Sequence, residues 1–181
     1  LQPNNIAVAD ALCEALIKTN DTDQAAQLLH AIEQHLIPHR LAELQCLLQI
    51  ALSDFDRART ILLRAIDQSP SPHLLMQLGV LEEELGNEAG AAKALNRLLL
   101  QETDHADAWF RLMHLRSFMP SSQQATLLSQ AANNATSDTS AAKLWFAMAK
   151  LANKQKATDK EIEYLHKAHG LAANYEPFNL P

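Results

Sequence analysis

Small and apolar positions recur along this chain with a period close to 33 residues. Ala25, Ala58, Ala91 and Ala125 follow one another at spacings of 33, 33 and 34. Four residues after each stand Leu29, Leu62, Leu95 and, in the last case, Ser129, for which Leu128 is the apolar substitute. A second series, Cys13, Cys46, Gly79, Met113 and Ala149, steps by 33, 33, 34 and 36, and a third runs Ala9, Ala42, Leu75, Trp109, Trp145. A fixed period of roughly 20 to 50 residues is the signature of stacked repeats, each too small to bury its apolar face alone. The pattern predicts an all-α chain of about ten helices in five hairpins, beginning near Ile6, His39, Pro72, Ala106 and Ala142 and filling residues 1–175. Pro177 and Pro181 bracket no helical pattern, so residues 176–181 are expected to be an extended tail.

At these positions the sequence resembles the tetratricopeptide repeat (TPR), a helix-turn-helix unit of about 34 residues. Leu75, Leu78, Gly79, Gly86, Ala91 and Leu95 fit one unit, Trp109, Leu112 and Ala125 the next, and Phe55, Ala58, Leu62 and Pro70 an earlier one. The departures are the missing bulky residue in the first two units, Pro120 at the turn of the fourth, and Glu161 where the fifth should carry Ala. The resemblance implies a right-handed α-α superhelix, in which a small residue of each first helix and an Ala of each second helix let the two backbones approach. Gly86 then suits a tight left-handed turn between helices. Gly90 is read as no more than a loosening of the helix that follows.

The glycines raise a second idea, since LMQLGVLEEELGNEAGAAKAL ends somewhat like a phosphate loop. Such a loop needs Gly directly before Lys and a hydroxyl directly after it. Ala91 and Ala92 separate Gly90 from Lys93, and Ala94 follows, so the motif fails.

Composition narrows the functional classes. The chain is 48% hydrophobic, 20% charged and only 5% aromatic, with a formal net charge of -6. That charge opposes a nucleic-acid backbone, which calls for a clustered basic face. No apolar run approaches the roughly 20 residues of a membrane span. The start, LQPNNIAVADALCEALIK, lacks the basic opening of a signal peptide. A cytoplasmic location is expected, and the initial Leu suggests a piece of a longer chain.

No catalytic constellation emerges. Cys13 and Cys46 occupy equivalent small-residue positions, where a thiol serves as a compact apolar group. Zinc would require Cys-x2-Cys or a matching His pair, so no metal and no cofactor are expected. His35 and His39 are divided by Pro38, while His166 and His169 share a helical face near Glu163 and make at most half a metal site. The serines of SPSPH and MPSSQQ read as turn and cap residues.

What is left is surface. In the TPR family the first helices line a concave groove that holds an extended peptide or protein segment. The resemblance places Asp10, Glu43, Met76, Phe110 and Phe146 in one row, and Glu14, Leu47, Val80, His114 and Lys150 in the next. Met76, Val80, Phe110, His114, Phe146 and Lys150 are therefore the expected partner-binding residues, with Phe118 beside them. The same residues equally suit burial within the array or beneath the tail.

The last third, from Ala106 onward, is also similar to the final repeats of bacterial proteins that join TPR units to a sulfotransferase domain. The matching residues are Arg116, Phe118, the run Leu144 to Lys150, Ala168 and His169. That resemblance implies a regulatory or substrate-presenting region without chemistry of its own. A structural spacer or homodimerisation unit is the third expectation.

Overall fold

A computed structural model describes residues 3–173 of the chain, so the expected tail at 176–181 lies outside the described residues. Every regular element among the described residues is helical. The order is α1 (Pro3–Lys18), α2 (Thr22–Ile32), a 3₁₀ turn (Glu33–His35), α3 (Pro38–Ala51), α4 (Phe55–Gln68) and α5 (Pro72–Glu84). Then come α6 (Glu88–Leu99), α7 (Ala106–His114), α8 (Ser122–Asn134), α9 (Asp138–Lys154) and α10 (Thr158–Ala173). The predicted starts at His39, Pro72 and Ala106 fall within a residue of the observed ones. Those at Ile6 and Ala142 are late by three and four residues, the second because Ser137, not a later residue, caps α9 by accepting the Ser140 N–H at 3.2 Å.

The chain forms two compact bodies, one up to Leu81 and one from Glu82, the division falling inside α5. In the N-terminal body, Cys13 and Ile17 of α1 and Ala25, Leu29 and Ile32 of α2 close over Leu44 and Leu48 of α3. Cys13 Sγ lies 3.6 Å from the Ala25 carbonyl and donates to it. The two small-residue series therefore meet where the helices of the first hairpin cross. Burial pushes the Cys46 thiol up to about 12 and raises that of Cys13, so both are inert packing groups.

In the C-terminal body α7 packs on α6 and α9, and α9 on α8 and α10. Trp109 of α7, 1% exposed, is a core residue whose indole N–H donates to the Thr103 carbonyl at 2.8 Å. Trp145, which shares the third repeating series with Trp109, is not buried as Trp109 is. On α9 the core position is taken by Leu144 (1% exposed), and Trp145, 100° further round the helix, is half-buried against Tyr164, with ring centroids 5.4 Å apart.

Among the described residues one device ends four of the helices, α1, α3, α5 and α9. Asn20, Ser53, Gly86 and Lys156 have φ of 62°, 60°, 72° and 58°. Each of these N–H groups bonds back to a carbonyl three residues earlier, and the next N–H to one five residues before it, as in Asp21 N to Leu16 O at 2.9 Å and Asp54 N to Gln49 O at 2.8 Å. The following residue caps the second helix in three cases: Asp21 accepts from Gln24, Asp54 from Arg57 and Asn87 from Gly90. Only Gly86 meets the left-handed backbone without a Cβ penalty, which is about 1 to 2 kcal/mol for an L-residue. Ser53→Gly is accordingly expected to stabilise the protein by about 1 kcal/mol, read as a higher urea midpoint, with Asn20→Gly giving less because Asn tolerates this region.

Gly90 requires a correction. A Cβ there would lie 2.5 Å from Asn87 Nδ2 and 2.7 Å from Glu82 Oε2. Glu82 is 2% exposed, and Asn87 Nδ2 donates to it at 2.6 Å while Asn87 Oδ1 accepts the Gly90 N–H at 3.2 Å. The glycine makes the space in which a buried carboxylate and a helix cap are joined.

Candidate functional site

The expected groove residues divide between the two bodies. Met76 and Val80 stand one turn apart on α5, both half-buried. Phe110 and His114 lie on α7, Phe146 and Lys150 on α9, and these two helices pack against each other. Lys143 Nζ donates to Asp107 Oδ1 at 2.6 Å, tying α9 to α7.

Each phenylalanine is steered by a histidine. Phe110 follows the core residue Trp109 by one position, and 100° of helical rotation carries it out of the core to a half-buried place. The His114 ring sits 4.3 Å from it at 37°, and His114 Nδ1 is 2.7 Å from the Phe110 carbonyl. A carbonyl can only accept, so Nδ1 carries the proton here. Phe146, also half-buried, meets His169 of α10 edge-on at 5.1 Å and 87°. His169 is thus engaged with an aromatic partner, and among the described residues no cluster of three or more His, Cys, Asp or Glu could hold a metal ion. Lys150 and His114 are exposed at the edge of this face.

Phe118 lies on the loop between α7 and α8, where the sequence departs from the repeat. The freed backbone groups of this loop are held by two charges of opposite sign. Glu88 of α6 accepts from Arg116 N at 3.2 Å, Ser117 N at 2.8 Å and the Ser117 hydroxyl at 2.5 Å. These donors, the hydroxyl foremost, hold its carboxyl below the usual range. Lys154 at the end of α9 donates to the carbonyls of Leu115 at 2.5 Å and Phe118 at 2.8 Å. Burial foremost lowers its pKa, the Glu88 carboxylate works against that, and the neighbouring Lys150 charge adds to the lowering.

The charged end of the expected groove is organised by a residue that sequence reasoning missed. Arg40 Nη2 bonds Asp10 at 2.7 Å and Glu14 at 2.6 Å, and Nη1 bonds Glu43 at 3.2 Å. Glu43 is 5% exposed. Asp10 and Glu43 share a repeat position and Glu14 follows Asp10 by one turn, so three acids converge on one guanidinium. The hydrogen bond from Arg40, then that from Lys18, lowers the Glu14 carboxyl from the ordinary 4.5 to about 2. A depressed carboxylate stabilises the fold fully above pH 4.5 and loses that contribution as pH falls toward 2. Glu14→Gln should flatten the acid limb of stability across that window by about 1 kcal/mol, allowing for solvent screening, as measured by urea denaturation at stepped pH.

Stacked helical hairpins joined by these repeated turns define a TPR-like helical solenoid. Solved structures of MamA, a TPR-like helical protein, share that fold with this chain. A double mutant of MamA RS-1 superposes with a TM-score of 0.61 at 12% identity, covering 97% of this chain and 99% of that one. MamA AMB-1 gives 0.57 at 15% identity over 93% and 92%, and MamA MSR-1 gives 0.56 at 14% over 95% and 99%. No protein-family model matches the chain, and no curated protein matches it in sequence. At such low identity the likeness establishes the fold. The resemblance to sulfotransferase-linked repeats draws no support from it.

Proposed function

We propose that this chain is a non-catalytic interaction module that binds a protein or peptide segment along the first-helix face of its C-terminal body. Phe110, His114, Phe146 and Lys150 form the contact residues, and Met76 and Val80 continue the same repeat positions in α5. The observation that carries the reading is the placement of Phe110 and Phe146 on helices whose cores are already filled by Trp109 and Leu144. Both rings stay partly accessible, yet His114 and His169 fix them in place. Rigid, half-exposed aromatics are the side chains that anchor interfaces, because little conformational freedom is lost when they are covered.

The test is photo-crosslinking from positions 110 and 146, with Leu100, 83% exposed at the end of α6, as control. Crosslinks to one partner from 110 and 146, lost from each position when the other phenylalanine is changed to Ala while the far-UV spectrum is unchanged, are expected. Undiminished capture by the doubly substituted Phe110→Ala, Phe146→Ala protein would remove the assignment.

A further inference from the structure

The C-terminal body holds a cleft of about 340 Å³ between α8 and α10, floored by Met148, Leu151 and Ala152 of α9. Its rim carries Ser129, Gln130, Gln155, Lys160 and Tyr164. Among the described residues these five side chains make no hydrogen bond or ion pair within the protein, although all five are able to donate. No carboxylate lines the cleft, in a chain with 21 acidic residues. The acids nearest in sequence to Lys160 are otherwise placed. Glu161 accepts from the Asn153 amide at 3.0 Å, and Glu163 is bonded to Lys167 at 2.7 Å, with the Lys160 charge only a lesser influence on it. The phenol of Tyr164 is held in place by the Trp145 ring on one side and by Lys167 Nζ, 5.8 Å from its centroid.

A larger cleft of about 670 Å³ between α2 and α4 lacks this character. There His30 is 3.2 Å from Glu33, the Asp54 carboxylate caps α4, and Thr60 bonds the Asp56 carbonyl. Its rim mixes three carboxylates, Glu33, Asp54 and Asp56, with the guanidiniums of Arg57 and Arg64, so it offers no excess of positive charge to an anion.

We infer that the cleft between α8 and α10 is a binding site for a small organic carboxylate. One ammonium matches one negative charge, and four neutral donors supply the remaining partners of the two carboxylate oxygens. The buried floor of Met148, Leu151 and Ala152 takes an apolar or aromatic body. The volume lies at the small end of ligand pockets, which run from roughly 300 to 1,000 Å³.

The experiment is an amide-resonance titration of the full chain with benzoate, benzamide and inorganic phosphate. Benzoate is expected to shift Ser129, Gln130, Gln155 and Tyr164 saturably, and benzamide to bind about tenfold more weakly, the loss of one charge-assisted hydrogen bond. Lys160→Gln should weaken benzoate by about tenfold and leave benzamide unchanged. Equal binding of benzamide, preference for phosphate over benzoate, or the absence of saturable shifts at these residues overturns the assignment. The comparison of benzoate with benzamide uses the unsubstituted protein and does not depend on how any variant folds.

Discussion

Lys154→Met is expected to lower the melting temperature by about 4 to 8 °C, corresponding to a loss of about 2 kcal/mol in a chain of this length. Methionine keeps the aliphatic stem of the side chain, so the change isolates the ammonium and its two bonds. Those bonds go to the carbonyls of Leu115 and Phe118, at 2.5 and 2.8 Å. Each hydrogen bond from a charged donor contributes about 1.5 to 3 kcal/mol when shielded, and partial solvent access reduces the pair to the figure given. Glu88 continues to hold Arg116 and Ser117, so the loop should loosen at one side only. Trypsin cleavage after Arg116 should therefore quicken while the far-UV spectrum stays unchanged. A melting temperature within 1 °C of the parent would show that the carbonyls are equally well served by water.

Gly90→Val is the second large effect, a destabilisation of about 3 kcal/mol. Two contributions oppose each other. Replacing a glycine in the first turn of a helix is favourable, by less than the roughly 1 kcal/mol that Ala gains in a helix interior and by less again for a β-branched residue. Against it stands a Cβ lodged 2.5 Å from Asn87 Nδ2 and 2.7 Å from Glu82 Oε2. Both atoms end flexible side chains, but neither can turn away cheaply. Asn87 is held through both its amide nitrogen and its oxygen, and Glu82 is buried. Yielding would break the cap, at about 1 kcal/mol, and disturb a buried carboxylate, at more. Gly90→Ala should show the same sign at roughly half the size, and equal or greater stability for Ala would mean that the Glu82 pocket relaxes. Urea denaturation of the three proteins measures this directly.

The helical repeats were legible because a buried position repeats its demand in most copies, although Ala125 and Trp145 are only half-buried. Ala25, Ala58 and Ala91 are each fully buried, and Cys13 and Cys46 likewise. Three series of such positions therefore announced an all-helical chain of about ten helices. The turn conformation was harder to see. Gly86 shows it openly, whereas Asn20, Ser53 and Lys156 adopt the same backbone at a steric cost that no side-chain preference reveals. Gly90 was misread because its role depends on Glu82, eight residues earlier, and a local reading found only a helix start. Arg40 escaped notice for a related reason. Asp10 and Glu43 stood out as a charged row, but the cation that gathers them with Glu14 comes from the first turn of α3, outside the repeat positions. The face containing Phe110 and Phe146 followed from the repeat as a place. Its histidine partners were legible only in part: His114 shares the repeat positions of the face, whereas His169 meets Phe146 across two helices and neither helix signals that contact alone.

Both cysteines belong to the N-terminal body and both tryptophans to the C-terminal body. The chain thus carries a separate intrinsic reporter in each. Cys13 and Cys46 are buried, with thiols shifted toward the unreactive form, so a thiol reagent can label them only when the first body opens. Indole fluorescence follows Trp109 and Trp145 alone. Recording alkylation and emission on one unlabelled sample along a denaturant gradient distinguishes a single cooperative transition from two. For a stack of repeats, that decides whether the molecule melts as a whole or frays from one end.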